Sequence, residues 1–233
     1  MTGMTRRDEL AANLAEVRAR IDAAAQAAHR APADVSLVVV TKTWPADDVR
    51  HLAALGVTDV GENRDQEAAP KHAACEDLPL RWHFIGTLQR NKARSVAGYA
   101  DVVESVDRVS LVDALDHAAQ ASQRDLDVLL QVSLDEAPGR GGAAPAELAG
   151  LAERVAGSAR LRLRGVMAVA PLGADPDAAF ARLASIAADL RRDHPAAEVV
   201  SAGMSGDLEA AVRHGATHVR VGTAVLGRRP ALG

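Results

Sequence analysis

Short β-branched runs recur along this chain near residues 35–41, 57–61, 81–85, 101–105, 127–133, 161–169, 197–201 and 217–221, and Ala/Leu-rich stretches with helical spacing separate them, as at 46–55, 108–121, 145–155 and 177–192. Strands that alternate with helices over a whole chain build a parallel sheet, because each helix carries the chain back to start the next strand in the same direction. Helix punctuation agrees: Gly56 and Gly215 follow helical stretches, and Pro145 and Pro176 lie near helix starts. Eight βα units in 233 residues predict an α/β fold, a single (β/α)8 barrel of the TIM type, with an extra N-terminal helix over about residues 8–29. No Pro- or Ser-rich linker divides the chain, so residues 1–233 read as one domain. An open doubly wound sheet has the same strand count and is the alternative.

Charge excludes several partners. The formal net charge is −4 and no basic block is interleaved with aromatic residues, so no nucleic-acid role is expected. No apolar run approaches the length of a membrane span, and the N-terminal MTGMTRRDELAANLAEV carries charges where a signal peptide would be apolar. The expectation is a cytoplasmic protein with no membrane partner. Cys75 is the single cysteine, in the helical setting KHAACED, and reads as an inert thiol. Aromatic residues make up 2% of the chain, too few for a large aromatic-anchored interface, and a monomer is expected.

Against twenty-four arginines the chain has three lysines, and Lys42 stands at the end of the first β-branched run, VSLVVVTK. Arginine keeps its charge, whereas a lysine amine can lose its proton and attack a carbonyl. Lys42 is therefore a candidate Schiff-base amine, the alternative being a strand-end lysine that snorkels to solvent. Lys71 reads as a solvated helix residue and Lys92 as a rim or helix contact.

In a barrel, binding groups sit at the C-terminal ends of the strands and phosphate sites favour the loops after strands seven and eight. Those places hold SAGMSGD, residues 201–207, and VGTAVLG, residues 221–227. Glycine admits close backbone approach, free N–H groups point at an anion, and the Ser205 and Thr223 hydroxyls add donors. Neither loop is a dinucleotide or Walker fingerprint, which suggests a single phosphate on a small molecule. Closure pairs strand eight with strand one and brings Lys42 beside Gly222 and Thr223. An amine beside a phosphate cradle suits pyridoxal 5′-phosphate (PLP), and a sugar phosphate held on an aldolase-type Schiff base remains open.

The segments VVVTKTWP, VGENRDQE, WHFIGTLQRNK, SAGMSGDLEAAVRHG and THVRVGTAVLG together resemble the signature blocks of the pyridoxal phosphate homeostasis protein family, which is similar to the barrel domain of alanine racemase. The resemblance runs in order from Val35 to Gly227. It implies that Lys42 anchors PLP as a Schiff base and that Ser205, Gly222 and Thr223 surround the phosphate. It also implies that Arg220 faces the pyridine nitrogen, with Asn63 and Met204 lining the site. A permanent cation beside that nitrogen disfavours its protonation and weakens the ring as an electron sink. The chain departs from the family pattern at Arg64 and Asp65, at Leu226, where phenylalanine is common, and at Arg140, where many relatives have a lysine. Arginine cannot form the same Schiff base, so a second PLP acceptor at that position is not expected.

Racemisation needs an acid/base opposite the lysine. Tyr99, the single tyrosine, precedes the fourth strand and is expected at the far end of the barrel; His83 is the remaining candidate but reads better as a packed, hydrogen-bonded strand residue. The expectation is a PLP carrier that buffers the cofactor and passes it transiently to PLP-dependent apoenzymes, without a dedicated substrate. A weak PLP-dependent racemase or lyase is the alternative.

Overall fold

The structure, a computed structural model, describes residues 4–135 and 141–227. Arg140 lies outside the described residues.

Eight strands form one closed barrel in sequence order: β1 (Ser36–Val40), β2 (Asp59–Glu62), β3 (Arg81–Phe84), β4 (Val102–Val106), β5 (Leu126–Gln131), β6 (Leu161–Met167), β7 (Val199–Ser201) and β8 (His218–Val221). All neighbours are parallel, and β8 closes on β1 with Leu37 opposite Val219 and Val39 opposite Val221. Closure excludes the open doubly wound sheet. The runs read from sequence match the strands to within a few residues at each end.

Helices alternate with the strands on the outside: α2 (Ala46–Ala54), α3 (Asp65–Ala73), α4 (Ala93–Tyr99), α5 (Val109–Ser122), α6 (Leu148–Ala156), α7 (Pro176–Asp193), α8 (Leu208–Arg213) and the short α9 (Thr223–Leu226). Side chains alternate across each strand, so Val60, Trp82, Val128 and Val219 turn outward under the helices, whereas Asp59, His83, Glu104 and Arg220 share the interior with Val102, Leu129 and Met167.

The extra helix α1 (Arg6–Ala27) precedes the barrel. Thr5 and Asp8 form a capping box at its start, satisfying two backbone donors that a helix N-terminus leaves unpaired. Leu10, Leu14, Val17 and Ile21 recur every three or four residues and are fully buried against α2, α8 and α9. Arg6 reaches Asp48 in α2 and the carbonyl of Leu226 in α9, with its guanidinium 4.5 Å from the centre of the Trp44 ring. Helix α1 thus fastens both sides of the β8–β1 seam. Among the described residues, no helix is long and apolar enough to cross a membrane.

Candidate functional site at the C-terminal mouth of the barrel

Val40 ends β1, Thr41 is buried, and Lys42 is half-buried in the turn that follows. Thr43, with φ +68°, turns the chain sharply after the lysine, and its N–H donates to Glu67. Among the described residues, the Lys42 amine has no hydrogen-bond or ion-pair partner.

Across the seam, the loops after β7 and β8 meet: the N–H of Ala224 donates to Ser205 Oγ at 3.3 Å. The N–H groups of Ser205, Gly206, Gly222 and Thr223 find no acceptor among the described residues. Backbone donors left open together make a cradle for an anion. Gly222 lies so close to β1 that a Cβ there would stand 3.2 Å from the Val40 carbonyl oxygen, which places this loop beside the strand that carries Lys42. Met204 is exposed at the rim, while Thr223 is exposed and Ser205 half-buried.

Arg220 points into the barrel from β8, opposite Val38 in the register with β1. It is 4% exposed, and its two terminal nitrogens donate to Ser201 Oγ at 2.7 Å and to the Ala168 carbonyl at 2.9 Å. Its Nε makes no hydrogen bond among the described residues. The Ser201 hydroxyl donates to Glu104 Oε2 at 2.7 Å, and Glu104 Oε1 lies 2.7 Å from His83 Nδ1. His83 Nε2 completes the chain with Asp59 at 3.0 Å. Burial pulls the Arg220 pKa down, against the field of Glu104. Burial opposes the Glu104 charge as well, but His83, Arg220 and Ser201 outweigh it and hold the carboxyl at about 2. Burial also works against a charged His83, and its two carboxylate partners reverse the balance to leave its pKa raised. His83 is thus the packed, hydrogen-bonded residue that its strand position implied.

Asn63 follows β2 at the same mouth and lines a cleft of about 470 Å³ with Arg64, Gln66, Thr87, Gln89 and Lys92. A larger groove, about 970 Å³, lies between α4 and α5 and is lined by none of the residues at the mouth. Lys92 pairs with Asp65 at 3.5 Å, the rim contact expected of it.

Lys71 is a correction. Expected in solvent, it is buried on the inner side of α3 and donates to Glu62 Oε1 at 2.5 Å and to the Thr41 carbonyl at 2.8 Å. Its polar neighbours in KHAACED hid a buried charge on β2 that needed a partner. Glu62, Glu104 and Ser201 also escaped the sequence reading. Glu104 was marked only by a charge inside the apolar run VVESV.

Tyr99 closes α4 just before β4, at the N-terminal end of the barrel and away from the mouth. It is buried, and its hydroxyl has no partner among the described residues; burial and nearby carboxylates push its pKa up. Cys75 is buried too, and burial raises its thiol pKa, which fits an inert residue.

Residues 9–230 match the domain family described as "Alanine racemase, N-terminal domain". A protein from Pseudomonas aeruginosa named pyridoxal phosphate homeostasis protein is 47% identical over 223 residues, which span 94% of this chain and 96% of that one. An Escherichia coli protein of the same name is 38% identical over 95% of this chain and 97% of its own length. Among solved structures, PipY of Synechococcus elongatus with PLP bound superposes with a TM-score of 0.83 at 37% identity, over 94% of this chain and all of that one. Alanine racemase from Streptomyces coelicolor superposes with a TM-score of 0.75 at 22% identity, over 96% of this chain and 59% of the enzyme; at that identity the likeness concerns the fold alone.

Proposed function

Since this chain belongs to the pyridoxal phosphate homeostasis protein family, we propose that it binds PLP at the C-terminal mouth of its barrel and serves in intracellular PLP homeostasis. The observation that carries this reading is the pairing of an unpartnered Lys42 amine with four open backbone N–H groups just across the β8–β1 seam. When bound, the cofactor supplies an aldehyde for an amine and a phosphate for hydrogen-bond donors.

Lys42 is the amine in this reading. The N–H groups of Ser205, Gly206, Gly222 and Thr223, with the Thr223 hydroxyl, hold the phosphate. Arg220 presents its free Nε–H to the pyridine nitrogen, and its fixed charge keeps that nitrogen unprotonated. Asn63 and Met204 border the ring.

The protein acts as a reversible carrier. It captures free PLP, buffers its concentration and passes it to PLP-dependent apoenzymes in transient encounters, as a cytoplasmic monomer with one domain over residues 1–233. Dedicated turnover is not part of this reading: a racemase needs a second acid/base over the site, and Tyr99 is buried at the other end of the barrel.

Incubation with PLP, borohydride reduction and peptide mass mapping test the site. The expected result is a yellow protein with a reduced pyridoxyl adduct on Lys42, lost in Lys42→Ala. Absence of colour and adduct in the wild type overturns the reading. Incubation of the loaded protein with each amino acid, followed by chiral analysis, tests the carrier role, which sustained turnover dependent on Lys42 would defeat.

A further inference from the structure

Apolar side chains ordinarily fill the layers inside a (β/α)8 barrel. Here a hydrogen-bonded chain of charged and polar groups crosses that interior, from Asp59 through His83, Glu104 and Ser201 to Arg220. Such a chain is weak evidence for stability alone, because well-packed apolar residues often replace buried ionic groups without loss.

Resting on the assignment of Arg220 to the cofactor ring, we propose that Glu104 is a positioning residue: acting through Ser201, it fixes the guanidinium of Arg220, and His83 with Asp59 holds Glu104 in its turn. The direction of the hydrogen bonds supports this. The single proton of the Ser201 hydroxyl is committed to Glu104, so the oxygen can offer Arg220 only its lone pairs. Remove the carboxylate's charge and that hydroxyl keeps at most a neutral amide acceptor, which orients it less strongly than the carboxylate. Both oxygens of Glu104 are engaged, one by His83 and one by Ser201, so the carboxylate cannot swing away. Arg220 is then pinned at both terminal nitrogens, and its Nε–H is among the donors left open for a ligand.

The chain also ends somewhere informative. His83 and His218, with ring centres 6.3 Å apart, border a cavity of about 290 Å³ at the N-terminal mouth, together with Arg81, Asp127, Arg164 and Glu198. The residue that meets the ring is thus tied to groups at the opposite end of the barrel.

Glu104→Gln keeps the side-chain shape and removes its charge, and Ser201→Ala breaks the relay while leaving both charges in place. In the unloaded protein, the Arg220 Nε–H proton resonance, assigned by its loss in Arg220→Lys, is expected to exchange slowly with water and roughly tenfold or more faster in either variant. In the loaded protein, the Kd for PLP is expected to rise roughly tenfold or more in Glu104→Gln, with a shifted visible absorption maximum and the borohydride-trapped adduct still on Lys42. Leu129→Ala, which opens space lower in the same interior, controls for general loosening and should lower stability while leaving exchange and spectrum in place. Should Glu104→Gln fail to fold, Ser201→Ala carries the test. Wild-type values for exchange, affinity and spectrum in these variants, or equal changes in Leu129→Ala, would overturn the proposal. A wild-type protein without an adduct on Lys42 sinks the cofactor reading instead, and the exchange rates of the unloaded protein still decide whether Glu104 positions Arg220.

Discussion

The carboxylate of Glu62, sealed behind the second strand, depends on one cation. Glu62 is fully buried, its Oε1 takes hydrogen bonds from Lys71 and Thr41, and its Oε2 has none among the described residues. Burial raises its pKa even against the pull of Lys71. Lys71→Met should therefore lower the unfolding free energy by about 3–5 kcal/mol in urea titrations, the cost of stranding one member of a buried pair. A loss below about 1 kcal/mol would mean that Glu62 simply takes up a proton. Local residue chemistry was only partly legible. The place of Lys42 just after β1 was readable because the strand precedes it in sequence, whereas Lys71 owes its burial to a glutamate on another element. Glu104 is a lone charge in VVESV and went unread, because its partners come from β3, β7 and β8 and no local pattern announces them.

At the level of elements, α1 offers a clean test because it packs outside the barrel. Leu14→Ala removes a fully buried side chain from its inner face and should cost about 2–5 kcal/mol by chemical denaturation, with the PLP adduct on Lys42 retained. Gly86→Ala should do the reverse. A Cβ at Gly86 would lie 2.1 Å from the carbonyl oxygen of Asn63, so the loop after β2 must shift; PLP affinity should fall by about 1–3 kcal/mol, measured by absorbance titration, with little change in secondary structure. The strands and longer helices could be read from periodicity alone. Helices α3 and α4 gave no such boundaries, since Pro70, a helix breaker by local preference, lies inside one and the other spans seven residues. Residues that short leave the surrounding packing, not the local pattern, to decide helix formation.

At the scale of the molecule, the buried chain inside the barrel sets the response to pH. Glu104 has its pKa depressed to about 2 from an ordinary 4.5, so its contribution to stability is fully present above 4.5 and disappears as pH falls through about 2. The His83 pKa is raised, so its contribution is present below its ordinary 6.5 and fades as pH climbs through the raised folded value. The melting temperature should fall on both sides of this range, and Glu104→Gln should flatten the acid limb in a scan of melting temperature against pH. A wild-type acid limb that survives the substitution would assign acid sensitivity to other carboxylates. The alternation of strands and helices was open to sequence reasoning, but the strand count alone did not separate a barrel from an open doubly wound sheet; the pairing of β8 with β1 decided closure. It also governs timing during synthesis. Lys42, proposed to anchor PLP, leaves the ribosome just after the first strand, but the loops proposed to hold the phosphate arrive with the last two. A nascent chain therefore cannot complete this site until β8 has emerged, and cofactor loading would report that translation of the barrel has finished.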